Sequence, residues 1–309
     1  MYYGINDKND SEQKKYVYEQ KTEDKKLNID NIIVLSNNYN GKITQNEIKD
    51  MIHTFIYNDI NTLYSQTKDN TLSQNEQYYE DHKSEISQMG IYSQDEFLMI
   101  AEDIKNKRRT QDIELKRIEI EVNNQQKQNN NDYYRFNLNL KYSTGEEISF
   151  KVDLANDISN KTKIKYYSNS EIAKLFENYK VSANKKELIS IINNIIENVE
   201  NINKDTKMKS LEKQSQIFHE KKALYEKMGI YNLEDYYKVV QQIKSTVDWS
   251  IKNELKYYKL DLDSITEDAN YLNIILMIDY DYTQDLKLQV HLTKNNTSPS
   301  IKITGQNGE

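Results

Sequence analysis

The sequence predicts an α+β protein made of two tandem copies of one domain. The first observation is a repeat, in which Met89–Tyr92 returns as Met228–Tyr231. Glu114–Lys116 returns as Glu254–Lys256, and the offset stays between 138 and 140 residues throughout. The second observation is a change of hydrophobic period within each copy, from about 3.6 residues to about 2, which indicates helices followed by strands. A repeat this long is a whole domain, because solenoid repeats span about 20–50 residues.

The repeat divides the 309 residues into four parts. Residues 1–27 are predicted to be a disordered or membrane-proximal N-terminal segment, and residues 28–158 to be the first repeat domain. Residues 166–296 are the second repeat domain, which a short helix opens. The polar stretch between the domains lacks proline and glycine, which indicates a modest linker. Residues 297–309 are predicted to be a weakly ordered C-terminal tail.

An apolar stripe with spacing i, i+3, i+4, i+7 predicts the first long helix of each copy. In copy one this helix begins at Thr44 and runs to about Tyr64. The stripe comprises Ile48, Met51, Ile52, Phe55, Ile56, Ile60 and Leu63 in copy one and Leu188, Ile191, Ile192, Ile195, Ile196 and Val199 in copy two. Because identities change while the apolar face is kept, the stripe indicates a core face and not a shared catalytic site.

Two further helices are predicted in each copy. The second runs from about Ser73 to Met89 and ends at Gly90, since glycine suits the left-handed position after a helix. The third is capped by Ser93, and Glu96 completes the capping box. In copy two, Gly229, Asn232 and Asp235 take the places of Gly90, Ser93 and Glu96.

Alternating apolar residues predict three or more antiparallel strands after the helices, with one face packed and the other wet. In copy one the alternation runs from Leu115 to Val122, from Phe136 to Tyr142 and from Ile148 to Leu154. In copy two the alternating residues are Leu260 and Leu262, then Ile274, Leu276, Ile278 and Tyr280, then Leu286, Leu288, Val290 and Leu292. Each copy is therefore predicted to be three helices on one face of a meander.

Composition excludes several functional classes. The chain has no cysteine, which removes disulfides, thiolate metal sites and cysteine nucleophiles. Its net charge is −7, and residues 1–160 carry the whole acidic excess, with 20 basic against 28 acidic residues. Only four arginines accompany 38 lysines, a bias typical of an AT-rich genome. An acidic chain with few arginines is poorly suited to a phosphate backbone, so nucleic acid is an unlikely partner.

No apolar run approaches the about 20 residues of a membrane span, and no signal peptide is visible. Met1–Ile5 passes directly into the polar stretch Asn6–Lys26. This pattern is typical of a chain that begins after a removed membrane anchor or lipoprotein signal, with Met1 added. A natural disordered N-terminus is the alternative.

No residue is assigned a catalytic, cofactor-binding or metal-binding role. The four histidines lack metal-ligand spacing and are not kept between the copies; they are His53, His82, His219 and His291. Two carboxylate clusters are interpreted as solvated turns, although calcium or paired-carboxylate chemistry is the alternative. They are Asp261, Asp263, Glu267 and Asp268, and Asp279, Asp281 and Asp285. The one compact basic run, at the end of the third helix, is interpreted as favouring the helix C-terminus; it comprises Lys105, Lys107, Arg108 and Arg109.

The 25 tyrosines indicate a protein-interaction surface, because tyrosine is rigid and amphipathic. The register places some in the core (Tyr78, Tyr142, Tyr225, Tyr280) and predicts that others are exposed (Tyr2, Tyr3, Tyr133, Tyr166, Tyr167, Tyr257). Trp249 has no counterpart in copy one and is interpreted as a packing residue.

Helices followed by an antiparallel sheet, over about residues 28–155 and again over 168–294, resemble the cystatin-like or nuclear-transport-factor-two-like α+β roll. Tandem pairs of such domains resemble the extracytoplasmic part of conjugation-channel proteins of Gram-positive bacteria, and single domains resemble lipoproteins of these bacteria. The resemblance rests on element order and the repeat. Such rolls usually have four or more strands, whereas three are readable in each copy.

The resemblance implies a non-enzymatic module for interaction or assembly at the cell envelope, such as a conjugation-channel component or a surface lipoprotein ectodomain. The expected location is extracytoplasmic, with a cytoplasmic one left open. Expected partners are proteins or a second copy, with membrane contact only through a segment outside this chain. The alternative is a small-molecule-binding or isomerase-like protein with a pocket inside each roll. Because copy one is acidic and copy two near neutral, we expect the partner surface to lie chiefly on one copy.

Overall fold

A computed structural model describes residues 13–19, 39–109, 113–123, 133–157, 162–251 and 253–306 of the chain. The fold is α+β, as the sequence predicts. The chain divides into two compact units, Met1–Ser170 and Glu171–Glu309. In each unit a helical region precedes four strands that form an antiparallel meander.

The first predicted helix of unit 1 is interrupted by one π-helical turn. Helix α1 (Gln45–Thr54) leads into the π turn Phe55–Asp59, and α2 (Ile60–Thr67) continues it. Helix α1 begins with a capping box, in which Thr44 and Glu47 bond each other's backbone N–H groups.

The second predicted helix of unit 1 is two helices, α3 (Leu72–Asp81) and α4 (Lys83–Gln88). They are separated by His82, whose ψ of 21° breaks the helical path. Helix α5 (Gln94–Lys107) is the third predicted helix and begins at Ser93, which caps it as expected. The count of three helices in copy one is therefore corrected to more, shorter segments.

The sheet of unit 1 has the order β1 (Gln13–Glu19), β2 (Leu115–Asn123), β3 (Tyr133–Tyr142), β4 (Glu147–Ala155) and β5 (Ile164–Ser168). All neighbouring strands are antiparallel. One face is buried against the helices, as the alternation predicts; it includes Ile118, Leu138, Phe150 and Tyr166.

Unit 2 repeats this arrangement. Its helices are α6 (Glu171–Asn178), α7 (Lys185–Thr206), α8 (Leu211–Glu220), α9 (Lys222–Lys227) and α10 (Leu233–Thr246). Its sheet has the order β6 (Leu255–Glu267), β7 (Tyr271–Tyr280), β8 (Leu286–Thr293) and β9 (Ile301–Gly305). Asn184 and Asn232 cap α7 and α10 at the positions that Thr44 and Ser93 occupy in unit 1.

The repeated glycine connects the helices to the last strand in both units. Gly90 has φ of +87° and Gly229 has φ of +77°, a region that other residues rarely adopt. The carbonyl of Gly90 accepts a hydrogen bond from the Tyr166 N–H at 2.9 Å, and that of Gly229 accepts one from the Ile303 N–H at 2.8 Å. The shared glycine thus ends a helix and also aligns the edge strand of each sheet.

The π turn accounts for the small change of offset within the repeat. Ile56 of unit 1 corresponds to Ile196 at an offset of 140, whereas Thr67 corresponds to Thr206 at an offset of 139. Unit 1 therefore has one more residue here, and unit 2 spans the same region with the uninterrupted helix α7. A π turn is the form in which a helix absorbs one extra residue while the helical turns on its C-terminal side keep their direction.

Two expectations about the ends of the domains are wrong. The predicted interdomain stretch and the start of the predicted second domain contain β5, which pairs with β4 from Leu154 to Phe150. The predicted weak tail contains β9, in which Ile301 and Ile303 are buried on either side of Lys302. Both strands are only five residues long, so each offers too few alternating positions to stand out in the sequence.

The N-terminal segment, predicted to be disordered or membrane-proximal, also contributes to the sheet. Within residues 1–27 the structure describes Gln13–Glu19, and these residues form β1 along the outer edge of β2. The remainder of that segment, with Tyr2 and Tyr3, lies outside the described residues.

Candidate functional site

The histidines singled out from the sequence lie apart from one another, each with local contacts. His53 packs against Tyr57 on the first helical region, and the His82 Nδ1 lies 3.0 Å from the Tyr78 carbonyl oxygen. His219 lies on α8 beside Phe218. The His291 Nδ1 lies 2.6 Å from Asn273 Oδ1, and burial followed by the charge of Lys302 lowers the pKa of His291.

The carboxylate clusters are engaged in local structure. Asp268 accepts backbone N–H bonds from Asn270 and Tyr271 and so closes the β6–β7 turn. Asp261 and Asp263 are predicted in a turn but lie within β6, which continues to Glu267 through an irregular register after Asp261. Across the described ranges, no three His, Cys, Asp or Glu side chains are placed to hold a metal ion.

The second carboxylate cluster lies at the opposite end of the same sheet. Asp281 and Asp285 fall in the β7–β8 turn, as expected, whereas Asp279 lies within β7. Burial raises the pKa of Asp279, and the Lys256 Nζ lies 3.4 Å from Asp281 Oδ1.

The basic run ends α5, as the sequence predicts. Lys105 and Lys107 are in its last turn. The Arg108 guanidinium lies 4.8 Å from the centre of the Tyr64 ring, and its Nη1 donates to Asn61 Oδ1 at 2.8 Å. Arg108 therefore fastens the end of α5 to α2, which is a structural role.

Inside unit 1, a cavity between α1 and the sheet has a volume of about 40 Å³. It is lined mostly by apolar side chains, with Tyr39 as its main polar group, and the Tyr39 hydroxyl already donates to the Ala155 carbonyl at 2.9 Å. Pockets for small molecules have about 300–1,000 Å³. The described part of unit 1 thus has room for a few waters at this position, and this volume weighs against the alternative of a substrate pocket here.

The feature that stands out is a group of exposed apolar residues at one end of unit 2. Among the described residues, six large hydrophobic side chains are exposed, and four lie here: Met208 (96% exposed), Tyr282 (85%), Leu211 (65%) and Ile251 (44%). Met208 lies in the α7–α8 connection and Leu211 begins α8, while Ile251 lies in the loop before β6 and Tyr282 in the β7–β8 turn. The Asp281 N–H donates to the Glu254 carbonyl and joins that turn to the loop.

An open groove of about 520 Å³, which we call the Met208 groove, runs through this end. Its walls are the end of α7, the last turn of α10 and the loop after it, namely Asn203, Lys207, Met208 and residues 244–250. Trp249 lies in the groove, with its ring edge-on to the Tyr280 ring at 6.0 Å and its Nε1 donating to the Ile243 carbonyl at 3.4 Å. We call Met208, Leu211, Trp249, Ile251 and Tyr282 the Met208 surface.

Backbone strain coincides with this surface. Among the described residues, Met208 (φ +54°) and Tyr282 (φ +63°) are the two non-glycine residues with positive φ. They are also its two most exposed apolar side chains. Holding a non-glycine residue in such a region costs about 1 kcal/mol or more, and such residues cluster at binding sites. Strain and exposed apolar area, two unfavourable features, therefore occur together.

The polar groups of the groove include the ammonium of Lys244 and the carboxylate of Asp248. Lys244 donates from Nζ to the Thr206 carbonyl at 2.7 Å, and partial desolvation lowers the pKa of Lys244. Asp248 accepts hydrogen bonds from the Ser250 hydroxyl and N–H, and these bonds lower the pKa of Asp248. The groove thus presents two lysines and one aspartate beside the apolar side chains of Met208, Val247 and Trp249.

Signals for this site in the sequence are weak. Trp249 is interpreted from sequence as a packing residue and does touch Tyr280, but it also lines the groove. The sequence pattern does not single out Met208. A comparison of the copies finds it, because the corresponding residue of unit 1 is Asp69, a charged surface residue. No helix in the described part of the chain is both long and apolar enough to cross a membrane.

Comparison with protein-family models, with curated proteins and with solved structures finds no match to this chain.

Proposed function

We propose that this chain is a non-enzymatic interaction module of the cell envelope and that it binds a protein partner through the Met208 surface. The observation that carries the proposal is the concentration of exposed apolar side chains at one end of unit 2, two of them held with positive φ. Contiguous apolar patches on soluble proteins mark interaction sites, because their exposure is otherwise unfavourable.

The composition of the surface supports a protein partner. Trp, Tyr and Met are enriched at protein interfaces, where a few large side chains supply most of the binding free energy. Trp249 is partly buried and lines the groove with Met208, whereas Met208 and Tyr282 are highly exposed. A partner side chain that enters the groove would contact the indole and the Met208 thioether together.

The proposed location at the cell envelope and the proposed cystatin-like form of each unit come from the resemblance of the element order to tandem cystatin-like rolls. Four-stranded meanders in both units support this part of the proposal, because such rolls have four or more strands. Each unit is then a roll with helices on one face of its meander, and the pair serves as an assembly or interaction module outside the cytoplasm.

The experiment is co-purification from a detergent extract of the source cells' membranes with a Met208→Asp/Ile251→Asp double variant. Asp is the residue that unit 1 has at the corresponding position, and it is among the non-glycine residues that adopt positive φ most readily. We expect the specifically captured protein to fall by at least about tenfold, since interface anchors contribute about 2 kcal/mol each.

The matched control is Tyr271→Ser, which removes an exposed aromatic residue at the opposite end of the same sheet. Tyr271→Ser should retain the captured protein, and circular dichroism should show both variants folded. Equal capture by the wild type and the folded double variant would overturn the proposal. Cell fractionation tests the envelope setting separately.

A further inference from the structure

The lysines around the Met208 groove differ from their neighbours in lacking a carboxylate partner. Nearby, the Lys204 Nζ lies 2.6 Å from Glu200, and the Lys221 Nζ lies 2.5 Å from Asp205. Lys207, Lys209 and Lys244 have no carboxylate within ion-pair distance among the described residues. Lys207 and Lys244 therefore line the groove beside Met208 and Trp249, and Asp248, which interacts electrostatically with Lys207, is the one carboxylate in the lining.

Lys244 shows the consequence most clearly. Its ammonium group bonds the Thr206 carbonyl, a neutral acceptor, and is partly removed from water by the groove wall. An anionic group placed in the groove would form an ion pair with this ammonium, which the neutral Thr206 carbonyl does not provide. The nearby carboxylate of Asp248 is occupied by Ser250.

We infer that the Met208 groove binds an acidic peptide segment that carries a bulky apolar side chain. This inference names the partner class of the proposed function and rests on it. The apolar side chain lies against Met208 and Trp249, and flanking Glu or Asp side chains pair with Lys207, Lys209 and Lys244. Complementary charge sets the orientation and the encounter rate, while the apolar anchor supplies most of the affinity.

A peptide fits this site better than a nucleic acid does. Unit 2 contains no arginine, the residue best suited to bidentate phosphate contacts, since all four arginines lie in unit 1. The exposed aliphatic side chains of Met208, Leu211 and Ile251 also have no counterpart on a phosphate backbone.

The corresponding turn of unit 1 lacks the apolar side chain and one of the lysines that would bind an acidic peptide in unit 2. Asp69 replaces Met208, and Asn70 replaces Lys209, so that turn has lost both an apolar anchor and a cation. Lys68, the counterpart of Lys207, lies 4.0 Å from Asp69. The acidic segment should therefore bind unit 2 and not unit 1.

The test uses the full chain and the fluorescence of Trp249, its single tryptophan. The probe is a short synthetic peptide with glutamates on both sides of a Leu-Phe pair. Control peptides carry lysines for the glutamates, or alanines for the Leu-Phe pair. We expect only the first peptide to change the Trp249 emission in a saturable way, with a Kd that rises with added salt because the ion pairs are screened. Calorimetry gives the same Kd independently.

Two variants with reversed lysine charge distinguish peptide binding at the groove from non-specific attraction between the protein and the peptide. Lys207→Glu/Lys209→Glu should raise the Kd by at least about tenfold, whereas Lys68→Glu, the matched change in unit 1, should leave it within about twofold. All variants are checked for an unchanged melting temperature.

The outcomes are distinct. Equal affinity for the acidic and the basic peptide, or unchanged affinity in Lys207→Glu/Lys209→Glu, would overturn the inference. So would equally tight binding of a single-stranded DNA oligomer, or self-association that this double variant abolishes, which would assign the groove to a nucleic acid or to a second copy. If the peptides fail while Met208→Asp/Ile251→Asp still loses the captured protein, the partner class is wrong and the proposed function stands.

Discussion

Asp59 ends the π turn of unit 1 with its carboxylate half-buried and no hydrogen bond to a described residue. Burial raises the pKa of Asp59 from 3.8 to about 6. The folded state therefore holds the proton more tightly than the unfolded state does, and ionisation of Asp59 destabilises the fold. This penalty is absent below the unfolded pKa, grows as the pH rises from 3.8 to about 6, and is constant above that.

We therefore expect Asp59→Asn to stabilise the protein at neutral pH. The gain should be about 1–2 kcal/mol, less than the full shift implies because the carboxylate is partly solvated. Urea unfolding across this pH range measures it, and the gain should vanish at low pH. Asp69→Asn, at a carboxylate 88% exposed, is the control and should change stability little at any pH. A gain that is independent of pH would contradict the electrostatic explanation.

Tyr166 shows why single residues are hard to place from sequence. The sequence predicts that it is exposed, yet it is 2% exposed, and its ring stacks on Phe55 with centroids 3.6 Å apart. Its position follows from β5, which pairs with β4 and turns alternate residues inward. Without a prediction of β5, the neighbouring residues Lys165 and Tyr167 do not indicate which side faces the core.

At the scale of elements, helix-capping residues and apolar stripes are the sequence features that predict most of the helices and strands. Ser93 and Asn232 cap helices where predicted, because a side-chain acceptor before an apolar stripe favours an N-cap. The two five-residue edge strands are not predicted, since they are short and each is also held by a backbone bond to a distant glycine, Gly90 or Gly229. Local pattern does not encode such partners.

The π turn leads to a prediction that is tested by comparing a deletion in unit 1 with a matched deletion in unit 2. Deleting Asn58, an exposed residue of the turn, should convert α1, the turn and α2 into one continuous helix like α7. The buried face on both sides keeps its direction, so the melting temperature should fall by no more than a few degrees, corresponding to about 1 kcal/mol.

Deleting the exposed Glu197 from α7 makes the comparison. That helix has no extra residue, so the deletion rotates its later turns by about 100° and moves Val199, Ile202 and Thr206 away from the core. The melting temperature should fall far more than in the Asn58 deletion. Similar losses in both would show that the π turn is not an absorbed insertion.

At the scale of the whole molecule, the two units keep one core and differ at their surfaces. Unit 1 carries the acidic excess, and unit 2 carries the Met208 surface with Lys207, Lys209 and Lys244 nearby. That a partner surface lies chiefly on one copy is predicted from the sequence and stays a prediction. The sequence does not indicate which end of which copy, because Met208, Trp249 and Tyr282 come together only through the packing of three separate connections.

The last prediction follows from the boundary between the units. Residues 1–170 and 171–309, expressed separately, should each unfold cooperatively, because each contains its own sheet and buried face. A shorter first fragment that ends at residue 158 loses β5, and with it the Tyr166–Phe55 stack and the bond to Gly90, so it should melt well below the longer one.

Titration of the acidic Leu-Phe peptide by calorimetry should give residues 171–309 the affinity and salt dependence of the full chain, while residues 1–170 should not bind. Equal affinity of the two fragments would show that the charge difference between the copies is drift and does not select a partner.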